Sequence, residues 1–218
     1  CAQLAGQLVW SGVLRPTGRA RMWLLRRLCG DGGVLYVQED GSAKRLPQPP
    51  AQPVGTVRCI CVSDTHLLHR AMAVPAGDVL LHAGDVLLQS RAADERSLKQ
   101  LADAAAWLRE LPVQHRVLVG GNHDGAMAAL GAEGVRRLFE GATYLQDEEV
   151  VVAGLRIYGS PLSIGHSGNA AFQPGSGYAE DVAVSKVPRG LDVLLTHGPP
   201  GSGREALGRA SPLLEAKV

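Results

Sequence analysis

The chain has 218 residues, 45% of them apolar and only 4% aromatic, enough for one substantial, mainly aliphatic core with or without an appendage. Its 22 basic and 21 acidic residues leave a net charge of +1, so no general field draws in nucleic acid or an anionic membrane, and an anionic ligand has to be held by a local site. No apolar run approaches the roughly 18 residues that a bilayer-crossing helix needs.

Residues 1–30 carry Arg15, Arg19, Arg21, Arg26 and Arg27, with no acidic residue before Asp31. Two readings stand for such an Arg-rich, acid-poor start: an organelle transit peptide, or a piece of an incomplete coding sequence, because the first residue is Cys1 and not methionine. A cytoplasmic location is the default expectation. "KRLPQPPAQPVG" (44–55) holds four prolines in a polar run, which favours extended, unpaired backbone. The expected division is therefore an extension and linker over 1–55 and a domain over 56–218. Of the four cysteines, Cys1 and Cys29 precede the linker, while Cys59 and Cys61 alternate on one face of an expected strand and read as small core residues. They form no disulfide framework, and a reducing compartment is expected.

From Val57 the pattern is regular. "VRCICVS" (57–63) and "DVLLHA" (78–83) are short apolar runs of the kind that make buried strands. "RAADERSLKQLADAAAWLREL" places Leu98, Leu101, Ala105, Leu108 and Leu111 on one helical face, with Asp94 and Glu95 in its early turns and Pro112 as its stop. "HRVLVGG" (115–121) is a third strand. A helix over about 125–139 presents Met127, Leu130, Val135 and Leu138, and is weakened by Gly131 and Gly134. Strands at 149–153 and 155–159 form a hairpin about Gly154. Residues 160–188 show little periodicity and read as a long loop. "LDVLLTH" (191–197) is the last clear strand. Strands alternating with helices predict an α/β fold with a mainly parallel sheet, whose strand C-terminal ends carry the binding loops.

A polar cluster stands at four of those ends. "SDTH" supplies Asp64 and His66, which an extended backbone would point to one side. "HAGDV" supplies Asp85, "GGNHD" supplies Asn122, His123 and Asp124, and "LTHG" supplies His197. A D-x-H pair or a Gly-Asp turn arises easily by chance. Gly-Asn-His followed by an acid is expected about once in several hundred chains of this size, and all four clusters at strand ends are a strong signal. Carboxylates, an amide oxygen and imidazoles without thiolate suit Mn, Fe, Zn or Mg. An aspartate can bridge two such ions, and ions about 3.5–4 Å apart activate a shared hydroxide for in-line displacement at phosphorus.

"SDTH…GDV…GGNHD…THG" resembles the calcineurin-like metallophosphoesterase superfamily over about residues 57–200. "VPAGDVLLHAGDV", "IYGSP" and "LLTHGPP" resemble its metallophosphoesterase-domain-containing branch. The resemblance implies two packed sheets flanked by helices, and a phosphoesterase acting on phosphodiesters, nucleotides or other small phosphoesters with two divalent ions. It implies that Asp64 and His66 hold one ion, that Asp85 bridges both, and that Asn122 and His197 hold the second. It places His123 beside the leaving group as acid or hydrogen-bond donor. For Asp124 two readings stand: it orients His123, or it caps the following helix.

The superfamily's downstream Gly-His-x-His motif does not occur in this sequence. The expectation is a chain short of its C-terminal strands and of one ligand per ion. A non-catalytic scaffold with an eroded metal site is therefore the alternative to the enzyme. Leu162 stands where the branch has an aromatic residue, so substrate contacts are not assigned. His166 and Asn169 read as solvated loop residues that could touch substrate. His82 is either a satisfied core histidine or a support of the site. His69 and His115 read as surface or strand-end residues, and Arg204 and Arg209 as solvated.

Overall fold

The computed structural model describes residues 51–163, 169–173 and 180–198, together with the backbone of three strands before them. Those strands are β1 (Ala20–Leu24), β2 (Val34–Val37) and β3 (Ala43–Leu46). Next come β4 (Val57–Val62), a 3-10 turn at His69–Ala71, β5 (Gly77–His82), α1 (Glu95–Glu110), β6 (Val113–Leu118) and α2 (Gly125–Leu138). The order closes with β7 (Thr143–Tyr144), β8 (Glu148–Val152), β9 (Leu155–Ser160), α3 (Glu180–Ser185) and β10 (Val193–Thr196).

Two sheets form. The larger runs β3-β2-β1-β4-β5-β6-β7, parallel from β1 to β7 with β2 and β3 antiparallel at one edge. The smaller runs β10-β9-β8, with β8 and β9 antiparallel and β9 and β10 parallel. Because side chains alternate across a strand, β4 sends Cys59 and Cys61 to one face and Ile60 and Val62 to the other. Cys59, Cys61, Val79, Leu81, Val117 and Val119 meet Val152, Leu155, Ile157, Val193 and Leu195 between the sheets. On the outer face Ile60, Leu80 and Leu118 pack under Leu101, Ala105 and Leu108 of α1 and Met127 and Val135 of α2. Tyr158, Leu162 and Leu194 pack against Ala183 and Val184 of α3. The result is the expected α/β arrangement of two packed sheets flanked by helices.

Helix α1 starts where the sequence suggests, with Asp94 as its N-cap accepting Ser97 N–H at 2.7 Å. Its end is held by a residue that periodicity does not reveal. The Arg116 guanidinium donates from Nε to Leu108 O, and from Nη2 to Arg109 O at 3.2 Å and Leu111 O at 2.8 Å. Helix α2 kinks at Gly131, whose φ of 68° lies in the left-handed region. The hairpin turns through Ala153 (φ 51°) and Gly154 (φ 78°), the twist of a tight two-residue connection. A short helix, α3, forms within the segment 160–188; among the helix's described residues Ala183 and Val184 are buried, too few for a visible pattern. The strand at 115–121 begins and ends earlier than expected, at Val113 and Leu118. Among the described residues no helix is long and apolar enough to cross a membrane.

Candidate metal centre

Val62, His82 and Leu118 are paired in one line across β4, β5 and β6, so the three following loops leave the sheet at one level. They stay zipped beyond it. Asp64 N–H donates to Gly84 O at 3.0 Å, His66 N–H to Asp85 O at 3.1 Å and Leu67 N–H to Val86 O at 3.0 Å. The backbone here is not extended, as a D-x-H pair on a strand would require. Asp64 (φ 53°), His66 (φ 43°) and Asp85 (φ 56°) are all left-handed. That conformation costs each non-glycine residue about 1–2 kcal/mol, a strain that collects at sites where neighbours over-determine the geometry.

All three histidines of the cluster are oriented alike. His66 Nδ1 is 2.8 Å from Leu87 O, His197 Nδ1 is 2.7 Å from Ala83 O, and His123 Nδ1 contacts Leu88 O. Since a carbonyl only accepts, each Nδ1 carries the hydrogen and each Nε2 is turned to the cleft. This is how ligating imidazoles are held. The Nε2 atoms of His66 and His123 each lie 3.8 Å from Asp85 Oδ2, and that of His197 lies 3.4 Å from Asp85 Oδ1. His66 Nε2 is also 3.8 Å from Asp64 Oδ1, and His197 Nε2 is 3.0 Å from Asn122 Oδ1.

Lone pairs therefore face lone pairs across the cleft. A proton or a cation is needed between them, and two donors about 2.0–2.2 Å from one tetrahedral ion stand about 3.4 Å apart. Of the three rings His197 comes nearest to Asp85. Burial alone pushes this imidazole down, but Asp85, Asp64 and the Ala83 carbonyl outweigh it and hold it above its ordinary value. The donor atoms form two overlapping sets, His66–Asp85–His123 and Asp64–Asp85–His197. Asp85, 2% exposed, is common to both, which fits a bridging carboxylate. Asp64 falls in the set with His197 and His66 in the set with His123, while Asp64 Oδ1 and His66 Nε2 are themselves 3.8 Å apart. The residues present thus fit divalent cations in charge, donor type and spacing.

The calcineurin-like phosphoesterase family model matches residues 57–215. The chain belongs to the calcineurin-like phosphoesterase family. It is 33% identical over 177 residues to metallophosphoesterase domain-containing protein 1 of Homo sapiens and of Mus musculus, covering 71% of this chain and 52% of each of theirs. A UPF0046 protein of Caenorhabditis elegans is 27% identical over 188 residues, covering 77% of this chain and 59% of its own. The chain thus spans about half the length of the curated relatives it matches.

In this calcineurin-like centre Asp124 does something that neither sequence reading named. Fully buried, its carboxylate accepts Gly121 N–H at 2.9 Å, Leu87 N–H at 2.8 Å and Val86 N–H at 3.2 Å. It ties the Asn122–His123 loop to the Asp85 loop. Burial first, and then the Asp85 charge, push it up to about 7 against those three hydrogen bonds. It stands at the N-cap position of α2 without a side-chain cap bond. Ser90, far off in sequence, caps instead, its Oγ accepting Ala126 N–H at 2.8 Å.

Asn169 is not merely solvated. Its Nδ2 lies 3.3 Å from both ring nitrogens of His123, and its carbonyl accepts Asn122 Nδ2–H at 3.2 Å, which aims Asn122 Oδ1 at the cluster. Gly121 is required by space, because a Cβ there would meet Asp85 Oδ1 at 2.2 Å and His197 Cε1 at 2.8 Å.

His69 is buried, with Nε2 2.9 Å from Asp103 Oδ2 and its ring beside Trp107, so its expected surface position is corrected. The 3-10 turn folds it under α1. His115 is exposed as expected. Cys59 and Cys61 are buried core thiols; burial pushes Cys59 up to about 12 and Cys61 well up. His166, Arg204, Arg209, Cys1 and Cys29 lie outside the described residues.

Proposed function

We propose that the chain is a phosphoesterase of small phosphodiesters, nucleotides among them, and that residues 56–218 carry the activity. The observation behind this reading is the set of three imidazoles, each fixed through Nδ1 and turned by Nε2 onto the shared carboxylate of Asp85. Asp64, His66, Asp85, Asn122 and His197 would hold two divalent cations. When bound, such ions polarise the phosphoryl oxygens and make water a nucleophile at neutral pH.

The chain's own residues supply the remainder. Water attacks phosphorus in line, a new P–O bond forms, and the ester P–O bond opposite breaks. His123 stands at the rim of the cluster, its Nδ1–H held on Leu88 O. A proton on Nε2 makes the ring an imidazolium, the form that donates to the departing oxygen. Asp124 acts as a positioning residue, holding the His123 loop against the Asp85 loop.

The test is Mn2+-stimulated hydrolysis of a bis-nitrophenyl phosphate. Wild-type chain is expected to turn over, with Asp85→Asn and His123→Ala each losing about a hundredfold or more in kcat. Mn2+ binding without turnover in the wild type would overturn the enzyme in favour of a scaffold.

A further inference from the structure

We propose that His82 is a positioning residue of the metal centre, one ring that locks together the two loops bearing Asp64, His66 and Asp85. This rests on the metal-dependent reading above. His82 is the last residue of β5 and is 1% exposed. Its Nδ1 accepts Gly84 N–H at 3.2 Å, and its Nε2 is 3.3 Å from Thr65 Oγ1. An accepting Nδ1 leaves the hydrogen of a neutral ring on Nε2, so the ring donates to the Thr65 hydroxyl.

Both partners sit at the strained points. Thr65 lies between the left-handed Asp64 and His66, and Gly84 (φ 94°) precedes the left-handed Asp85. The His82 carbonyl also accepts Val119 N–H at 3.0 Å, reaching towards the third loop. A leucine or phenylalanine would fill the space beside the edge of Trp107 without polar atoms. An imidazole buried here must instead be held neutral, and burial lowers it to about 3. Retaining a polar ring in an apolar layer makes sense if its two bonds set loop geometry. The tautomer is opposite to that of the three histidines of the cluster, which carry the hydrogen on Nδ1 and turn Nε2 to the cleft.

The test uses His82→Leu and, as the milder change, Thr65→Val, which removes only the hydroxyl partner. Mn2+ affinity is measured by titration calorimetry, the protection of the Gly84 amide by hydrogen exchange, and folding by thermal melts. His82→Leu is expected to weaken Mn2+ binding at least tenfold, within the range typical when support of a ligand shell is lost, and to expose Gly84 N–H to exchange. Thr65→Val is expected to weaken Mn2+ several-fold with Gly84 still protected, a split that a purely structural role does not produce. Wild-type affinity in both folded variants overturns the inference while leaving the metal centre standing. A wild-type chain that takes up no Mn2+ overturns both.

Discussion

At the scale of single residues the centre depends on small spaces and fixed rings. A methyl group at Gly121 would clash with Asp85 Oδ1, at 2.2 Å. A Cβ there would also meet the Asp85 backbone N at 2.6 Å, so Gly121→Ala is expected to cut Mn2+ affinity by about tenfold or more and to lower the melting temperature, as calorimetry would show. His82 carries a second consequence. It sits at about 3 in the fold against an ordinary 6.5, so below pH 6.5 the unfolded chain binds a proton that the folded chain refuses. Its contribution is fully present above pH 6.5 and is lost as pH falls, by about 1.4 kcal/mol per unit. Urea titrations at pH 6.5 and 5 should show wild type losing about 2 kcal/mol relative to His82→Leu. A constant difference between the two proteins would show that the ring takes up its proton in the fold.

Between residues and the whole lie elements whose ends are finished by distant partners. The last carbonyls of α1 carry a partial negative charge and lack the usual i+4 donors, although Leu111 N–H reaches Leu108 O at 3.4 Å. Arg116, on the next strand, supplies a cation and donors to three of them. Arg116→Met keeps the aliphatic stem and removes the fork, and is expected to cost about 1–2 kcal/mol in urea unfolding, with Mn2+ affinity unchanged. Helix α2 is finished at its other end by Ser90, because Asp124, the residue in the capping position, is spent on the loops of the metal centre. A local rule gives way there to a tertiary demand. The loop from Asn169 to Gln173 behaves likewise, its conformation set by contacts with Asn122 and His123 and not by periodicity.

On the scale of the molecule, two sheets packed through Cys61, Leu81, Leu195 and their neighbours bring strand ends together that are far apart in the chain. Asp64, His66, Asp85 and Asn122 come from the large sheet, while His197 comes from the small one. A cation bound among them links the layers, so ligand binding and folding are coupled. Mn2+ at a hundredfold excess over its Kd should add about 2.7 kcal/mol of stability. For a chain of this length that raises the melting temperature by roughly 5–10 °C, reversed by chelation. An unchanged melting temperature would mean that the donors do not act together.

The alternation of apolar runs with polar strand ends determined the α/β class and most strand positions, because burial imposes a period, and it marked the polar side chains that the fold gathers into one cluster. What the sequence could not set was how those donors converge. The left-handed turns at Asp64, His66 and Asp85 exist because neighbouring loops zip together. The burial of His69 and the service of Asp124 to three backbone N–H groups likewise depend on partners remote in the chain. Local propensity registers none of these contacts; only the packed sheets bring them within hydrogen-bonding distance.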